Sequence, residues 1–218
     1  MKNLTFSIIF IILFAGCSFK INEKYKYRVN ASNSFESYKR YYLKGETRLA
    51  SIALKRALHS AKSGTDVNAI AKIYLGECAM HNALLIKDRC EQYTSIKQLI
   101  PNNKLDGYYN LLQNDIGNIS TKYLPSQYKN FIENLKNKNY KNAFKSIQSM
   151  QTVSSKLIAA SIMKNKLTKK EIKYIIKVSS SVGYKHATLR WYELLKKKSA
   201  PKERKIIDKK IEVFTSKP

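Results

Sequence analysis

Residues 41–61 read YYLKGETRLASIALKRALHSA, and this stretch decides the fold class. After the turn signal Lys44-Gly45, small and apolar residues recur at spacings of three and four. They are Ala50, Ala53, Leu54, Ala57, Leu58 and Ala61. Because an α-helix has 3.6 residues per turn, these side chains share one face and most basic residues lie opposite. The stretch therefore predicts an amphipathic helix that packs against another helix.

The partner helix is expected directly upstream. Phe35, Tyr38, Tyr41 and Tyr42 form a second helical face, and the Lys44-Gly45 pair is suited to a short helix-to-helix turn. Only 7 Gly and 4 Pro occur in 218 residues, fewer than the turns of a β-sandwich or barrel would need. The sequence predicts an all-α protein of about ten helices in antiparallel pairs.

Helix signals recur in the second half of the chain. The segment Thr168-Lys169-Lys170-Glu171 has the spacing of a capping box, in which the Thr oxygen and the Glu carboxylate bind amides at a helix start. Pro201 is tolerated in a first helical turn, and apolar residues between Ile206 and Phe214 predict a last amphipathic helix.

Residues 41–58 resemble the second half of a tetratricopeptide repeat, with a closing tyrosine, a glycine and acidic turn, and alanines at fixed spacing. Weaker traces of the pattern occur at 73–79, 139–150 and 183–195, and the last also resembles Sel1-type repeats. The resemblance implies antiparallel helical hairpins stacked as a short tetratricopeptide-like solenoid. An irregular helical bundle is the alternative.

This organisation predicts three parts of the folded chain. Residues 34–101 would form an N-terminal repeat pair, whose last helix runs from Ile86 to about Leu99. Residues 102–123, rich in Asn, would form an irregular connection, and residues 124–218 the basic C-terminal repeats.

The N-terminus has the layout of a secretory signal. Lys2 precedes an apolar run from Leu4 to Phe14, which is shorter than the about 20 residues of a membrane span. Ala15-Gly16-Cys17 follows and resembles the lipobox of bacterial lipoproteins. The resemblance implies that residues 1–16 are a signal peptide and that Cys17 carries the lipid. An ordinary signal peptide or an uncleaved anchor is the alternative.

A lipid on Cys17 implies attachment to a membrane of the cell envelope. Ser18 follows the cysteine, and by resemblance to enterobacterial lipoproteins a residue other than Asp there directs the protein to the outer membrane, facing the periplasm. Residues 17–33 are polar, without an apolar period, and are expected to be a lipidated flexible tether.

Two further cysteines, Cys78 and Cys90, are expected to form a disulfide, because exported proteins meet an oxidising compartment. In the chain-entropy model a loop of about a dozen residues corresponds to roughly 3 kcal/mol. Free thiols are one alternative. A metal site formed by Cys78, His81 and Cys90 is another, because Cys78 and His81 have the spacing of two ligands on one helical face. A fourth ligand is not evident, although Glu77 or Asp88 could be proposed. We predict no metal and no cofactor.

Catalytic motifs are not recognisable. His59, His81 and His186 are far apart, and no nucleophile elbow, phosphate loop or His-Glu-x-x-His occurs. The dipeptide Glu36-Ser37 is found at the catalytic acid of lytic transglycosylases, but no other motif of that family accompanies it. The chain is therefore expected not to be an enzyme.

The net charge of +26 is concentrated in residues 121–218, which carry 24 basic and 6 acidic residues. An export signal argues against nucleic acid as the partner and favours envelope polyanions. The candidate anion-binding residues are Lys169, Lys170, Lys173, Lys177, Lys196, Lys197, Lys198, Lys209 and Lys210. A solvated basic face without a ligand is the alternative.

Tetratricopeptide-type lipoproteins of this size resemble pilotins and accessory subunits of outer-membrane assembly machines. The leading hypothesis is accordingly a scaffold that binds an envelope protein through Tyr38, Tyr42 and Tyr74. The alternative is a cationic lipoprotein that binds peptidoglycan or lipopolysaccharide through the lysines.

Overall fold

The computed structural model describes residues 23–216, and within this range the chain is all-helical, with eleven α-helices and no strand. This confirms the predicted all-α class. The helices are α1 Glu23–Lys44, α2 Thr47–Ser63, α3 Val67–Ala83, α4 Glu91–Thr94, α5 Asn103–Leu112, α6 Ser126–Lys136, α7 Tyr140–Ser149, α8 Val153–Ile162, α9 Lys169–Ser181, α10 Lys185–Lys197 and α11 Pro201–Thr215. Short 3₁₀ turns lie at 97–99, 116–118 and 121–123.

Helices α3 and α8 form the centre of the molecule. Both bury residues around most of their circumference, and they pack against each other. Their apolar character explains this position, since a helix without a polar face is stable only when neighbours surround it. Around them pack the hairpins α1–α2, α6–α7 and α9–α10, with α1 also reaching α10.

Side chains of α10 bind the end of α3. The indole nitrogen of Trp191, which is fully buried, donates to the Ala83 carbonyl at 3.1 Å, and Nε of Arg190 donates to the Leu84 carbonyl at 3.1 Å. The last carbonyls of a helix have no partner within the helix, so these bonds satisfy groups that burial would otherwise penalise. They join the N-terminal and C-terminal parts through one continuous core.

One turn geometry recurs between helices. Gly45, Thr65, Lys138 and Gly183 each have a positive φ, and the following residue donates its N–H to a carbonyl five residues earlier. This arrangement is the Schellman motif, in which a residue in the left-handed conformation lets backbone N–H groups bind the free carbonyls at a helix end. The turns predicted at Lys44-Gly45 and before Tyr140 and Tyr184 lie where expected, and the capping box of Thr168 and Glu171 is formed.

Three predicted segments are corrected. Helix α1 begins at Glu23, so the expected tether over 17–33 cannot extend past residue 22; Ala31 is buried against α2 and α3. Residues 102–123 are not irregular throughout, because α5 occupies most of their first half and buries Leu111 and Leu112. The expected helix from Ile86 to Leu99 is replaced by an extended loop, the four-residue α4 and a 3₁₀ turn.

Candidate functional sites

The nine candidate lysines divide into two groups. Four make structural contacts: Lys169 and Lys173 bind Glu203 at 2.7 and 3.0 Å, Lys196 binds Asp208, and Lys198 donates to the carbonyls of Asn165 and Leu167. The other five are exposed and make no ion pair with any residue in the described range. They are Lys170, Lys177, Lys197, Lys209 and Lys210.

Part of the first and part of the second group meet in a cleft between α9, α10 and α11, which we call the cationic cleft. Its volume is about 630 Å³. Lys173, Lys177 and Lys210 line it, and Glu203 is the one acidic residue among its lining side chains. The cleft therefore carries a surplus of positive charge within the described part of the chain.

The floor of the cationic cleft is apolar. Ile176, Leu195 and Ile207 are buried, whereas Ile206 is 54% exposed. Sequence reasoning identified the lysines but not this floor. No sequence signal separated the exposed Ile206 from the buried Ile207, because adjacent apolar residues can share the core-facing stripe of an amphipathic helix.

The two lysines around Glu203 set its ionisation. Hydrogen bonds from the ammonium groups of Lys169 and Lys173 lower the pKa of Glu203 to about 2. Glu203 therefore stays ionised at every physiological pH and fixes the start of α11 against α9. Lys177 and Lys210, in contrast, make no ion pair with any described residue.

The tyrosine candidates do not form a common surface. Tyr38 is 2% exposed, which corrects its assignment as a docking residue, and its hydroxyl has no hydrogen-bond partner among the described residues. Tyr42 is half-buried, with the rings of His81 and His186 at 5.5 and 6.1 Å. Tyr74 is half-buried at a different cavity, described next.

That cavity is a second concavity of about 500 Å³, which we call the disulfide pocket. Cys78 in α3 and Cys90 before α4 are bridged there, with Cα atoms 5.4 Å apart, and this confirms the predicted disulfide. Cys90 itself is in the left-handed region, with φ 54°. The bridge holds the loop 84–90 against α3.

Asp88 is the best-connected polar group of the disulfide pocket. One carboxylate oxygen contacts Nδ1 of His81, and the other accepts the Cys90 N–H at 2.7 Å. The side-chain amide of Gln113 donates to the Asp88 carbonyl at 3.0 Å and to the Cys90 sulfur at 3.1 Å. These bonds fix His81, Asp88 and both cysteines in one cluster.

Glu77 lies one helical turn before His81 and also lines the pocket. Burial raises the pKa of Glu77, His81 opposes this effect, and Asp88 adds to it. Burial likewise raises the pKa of Tyr42 to about 12, so its phenol stays protonated at neutral pH. The pocket thus gathers the carboxyl groups of Glu77 and Asp88, the imidazole of His81 and the phenol of Tyr74.

The proposed lipidation residue, Cys17, lies outside the described residues. Within the described range, no helix is both long and apolar enough to cross a bilayer. No family model matches the chain, and no match is found among curated proteins or solved structures. The functional inference therefore rests on the cationic cleft and the disulfide pocket.

Proposed function

We propose that this chain is a lipid-anchored envelope protein, held by Cys17, whose helical body binds an acidic protein partner in the cationic cleft. It acts as a non-enzymatic scaffold, attached to the outer membrane and facing the periplasm. The observation that carries the proposal is the combination of surplus lysines with an apolar floor in one cleft of about 630 Å³.

Charge complementarity determines the kind of partner. Lys177 and Lys210 have no ion-pair partner among the described residues, so an incoming carboxylate would be attracted without displacing an internal one. The exposed Ile206 adds an apolar contact that a sugar or a free phosphate would not need. An acidic segment with apolar side chains satisfies both requirements.

The position of the anchor supports a cleft that faces away from the membrane. Five residues, 18–22, lie between Cys17 and the start of α1, and the six Cα–Cα steps limit the reach of the tether to about 20 Å. The first turns of α1 bind Asp66 through Arg28, whereas its last turn contacts α10 through Tyr42 and His186. Because α1 has 22 residues, these two ends are about 33 Å apart.

A tetratricopeptide-like stack is part of the proposal. The recurring Schellman turn between α1 and α2, α2 and α3, α6 and α7, and α9 and α10 supports it. So do the buried alanines Ala50, Ala143 and Ala187, which follow three of these turns and allow close helix packing. The stack would be short, with its ends joined by the α1–α10 contact.

The anchor is tested by metabolic labelling with a fatty acid. The wild-type chain should incorporate the label and partition with membranes, and Cys17→Ala should lose the label and retain its leader. If Cys17→Ala is labelled as strongly as the wild type, the anchoring part of the proposal fails.

The docking function is tested by affinity purification of the tagged full chain from detergent-solubilised envelopes. The test variant is Lys173→Ala, Lys177→Ala and Lys210→Ala together. The matched control removes three exposed basic residues of α2, namely Arg48, Lys55 and Arg56. The test variant should lose an acidic partner protein that wild type and control retain. Equal recovery by all three would contradict the proposal.

Peptidoglycan or lipopolysaccharide binding is the second candidate. It is favoured by the exposed Lys202, Lys205 and Lys209, which continue the positive surface along α11 outside the cleft. This function predicts sedimentation with purified sacculi, or binding to lipopolysaccharide, that is lost at high salt. Binding to sacculi or lipopolysaccharide that persists in the triple lysine variant, with no protein partner recovered, would favour this second function over protein docking.

A further inference from the structure

The disulfide pocket brings together a set of side chains that suits a metal ion. The bridged sulfur atoms of Cys78 and Cys90 and a carboxylate oxygen of Asp88 lie within 4.8 Å of one another. Nδ1 of His81 contacts the Asp88 carboxylate. Two sulfurs, one imidazole nitrogen and one carboxylate oxygen are the ligand types that Zn²⁺ takes in tetrahedral sites.

We propose that Cys78, His81, Asp88 and Cys90 form a binding site for Zn²⁺ or a similar divalent ion when the disulfide is reduced. A dithiol reductant supplies two electrons and two protons, which break the sulfur–sulfur bond and leave two thiols, while the dithiol becomes a disulfide. Metal binding then releases the two thiol protons. The group of close ligand atoms consists of Cys78, Asp88 and Cys90, and His81 joins it through its contact with Asp88. The ion replaces that contact, so His81 and Asp88 separate to bind it.

The surroundings of the four residues support this site. The amide of Gln113 donates to the Cys90 sulfur, and the Cys90 N–H donates to Asp88, so two ligands are already oriented by neighbours. With two thiolates and one carboxylate, a divalent ion leaves one net negative charge. Lys87 and Arg89 line the same pocket and would balance it.

Access and selectivity also follow from the pocket. Cys78 and Cys90 are only 2% and 3% exposed, but both line the pocket of about 500 Å³, which gives an ion a route to them. Asp88, rather than Glu77, completes the group of close ligand atoms found within residues 23–216. The structure thus distinguishes the two acidic residues between which the sequence spacing could not choose. The inference is independent of the docking function, because no cleft residue takes part.

The test uses the full chain in detergent with Cys17→Ser, so that no third thiol contributes. The reduced protein is titrated with Co²⁺, and Zn²⁺ affinity is measured by competition with a chromogenic chelator. We expect one ion per chain, thiolate-to-cobalt charge-transfer bands and a tetrahedral ligand-field spectrum. The disulfide-bonded protein should show none of these.

Single substitutions then identify the ligands. Asp88→Asn and His81→Ala should each weaken Zn²⁺ binding by about tenfold or more, and Cys78→Ser or Cys90→Ser should remove the charge-transfer bands. Glu77→Gln is the matched control and should bind as the parent does. Far-ultraviolet circular dichroism confirms that each variant is helical.

Three results would overturn the proposal. They are a reduced protein that binds no ion, unchanged affinity in Asp88→Asn, and a loss of binding in Glu77→Gln instead. A rise in the melting temperature of the reduced protein on adding Zn²⁺, absent from Asp88→Asn, gives a second readout that does not depend on the spectrum.

Discussion

The disulfide pocket and the cationic cleft are concavities of similar size, about 500 and 630 Å³, built in opposite ways. In the pocket the central residue, Asp88, binds groups of the same chain, namely His81, the Cys90 N–H and Gln113. In the cleft three lysines meet a single glutamate. The difference indicates that the pocket holds the fold together, whereas the cleft contains Lys177 and Lys210, which have no ion-pair partner among the described residues.

Trp191 joins α10, which lines the cleft, to the end of α3, which lines the pocket. Its loss should lower the free energy of unfolding more than the other changes below. Trp191→Ala removes a fully buried side chain and leaves the Ala83 carbonyl without its donor, so unfolding should become easier by about 3–5 kcal/mol. Denaturant unfolding followed by circular dichroism measures this. Trp191→Phe retains most of the buried ring and should lose clearly less. An equal loss would mean that the hydrogen bond to the Ala83 carbonyl, and not ring packing, stabilises the contact there.

Removing the disulfide of the pocket should lower the free energy of unfolding more than removing the lysines of the cleft does. The Cys78–Cys90 bridge closes a loop of 12 residues, so Cys78→Ser with Cys90→Ser should lower stability by roughly 3 kcal/mol in the absence of metal. The triple lysine variant should change stability by about 1 kcal/mol or less, since it removes exposed side chains and one surface ion pair, Lys173–Glu203. Equal losses in denaturant unfolding would contradict the contrast between the regions.

The helix turns allow a smaller, paired test. Lys138 is exposed and has φ 55°, a conformation that costs a side-chain-bearing residue about 1–2 kcal/mol, so Lys138→Gly should stabilise the chain by about 0.5 kcal/mol. Gly183 has φ 71° in the equivalent turn, and Gly183→Ala should destabilise by about 1 kcal/mol. Shifts of the same sign in thermal unfolding would refute the shared turn geometry.

Glu203 gives the cleft a predicted acid response. Its pKa is lowered from 4.5 to about 2 in the folded chain, so its contribution is complete above about pH 4.5 and is lost as the pH falls towards 2. After correction for the intrinsic pH dependence of amide exchange, protection at the start of α11 should decrease slightly over this range. The decrease should be smaller at high salt, which already screens the ion pairs of Glu203. Glu203→Gln should remove the acid dependence. Unchanged exchange in the wild type would contradict the assignment.

The fold was predictable where local signals agree with tertiary packing. Gly45 and Gly183 mark two turns because glycine enters the left-handed region freely, and Thr168 with Glu171 marks a helix start. Thr65, Leu85 and Lys138 also have positive φ but carry no such signal. The chain after α3 was predicted as a long helix because a leucine at position 85 does not indicate the left-handed turn that it makes there.

The candidate sites were predictable only in part, because their decisive contacts join distant residues. Cys78 and Cys90 could be paired from compartment and spacing, but Asp88 joins their cluster through Gln113 and the loop geometry. The surplus of lysines was evident from the sequence. The sequence did not show that Glu203, on another helix, binds two of them. Tyr38 has the residue type of a docking side chain, but tertiary packing buries it in the main core.

Photo-crosslinking in intact cells tests the central claim, a partner bound in the cationic cleft, most directly. A photoreactive phenylalanine analogue replaces Ser181, which is exposed at the cleft, or Ser51, which is exposed on α2. We expect an acidic protein to be crosslinked from position 181, to be lost in the triple lysine variant, and not to be crosslinked from position 51. Crosslinks from position 51 alone, or from position 181 unaffected by the lysine substitutions, would contradict it.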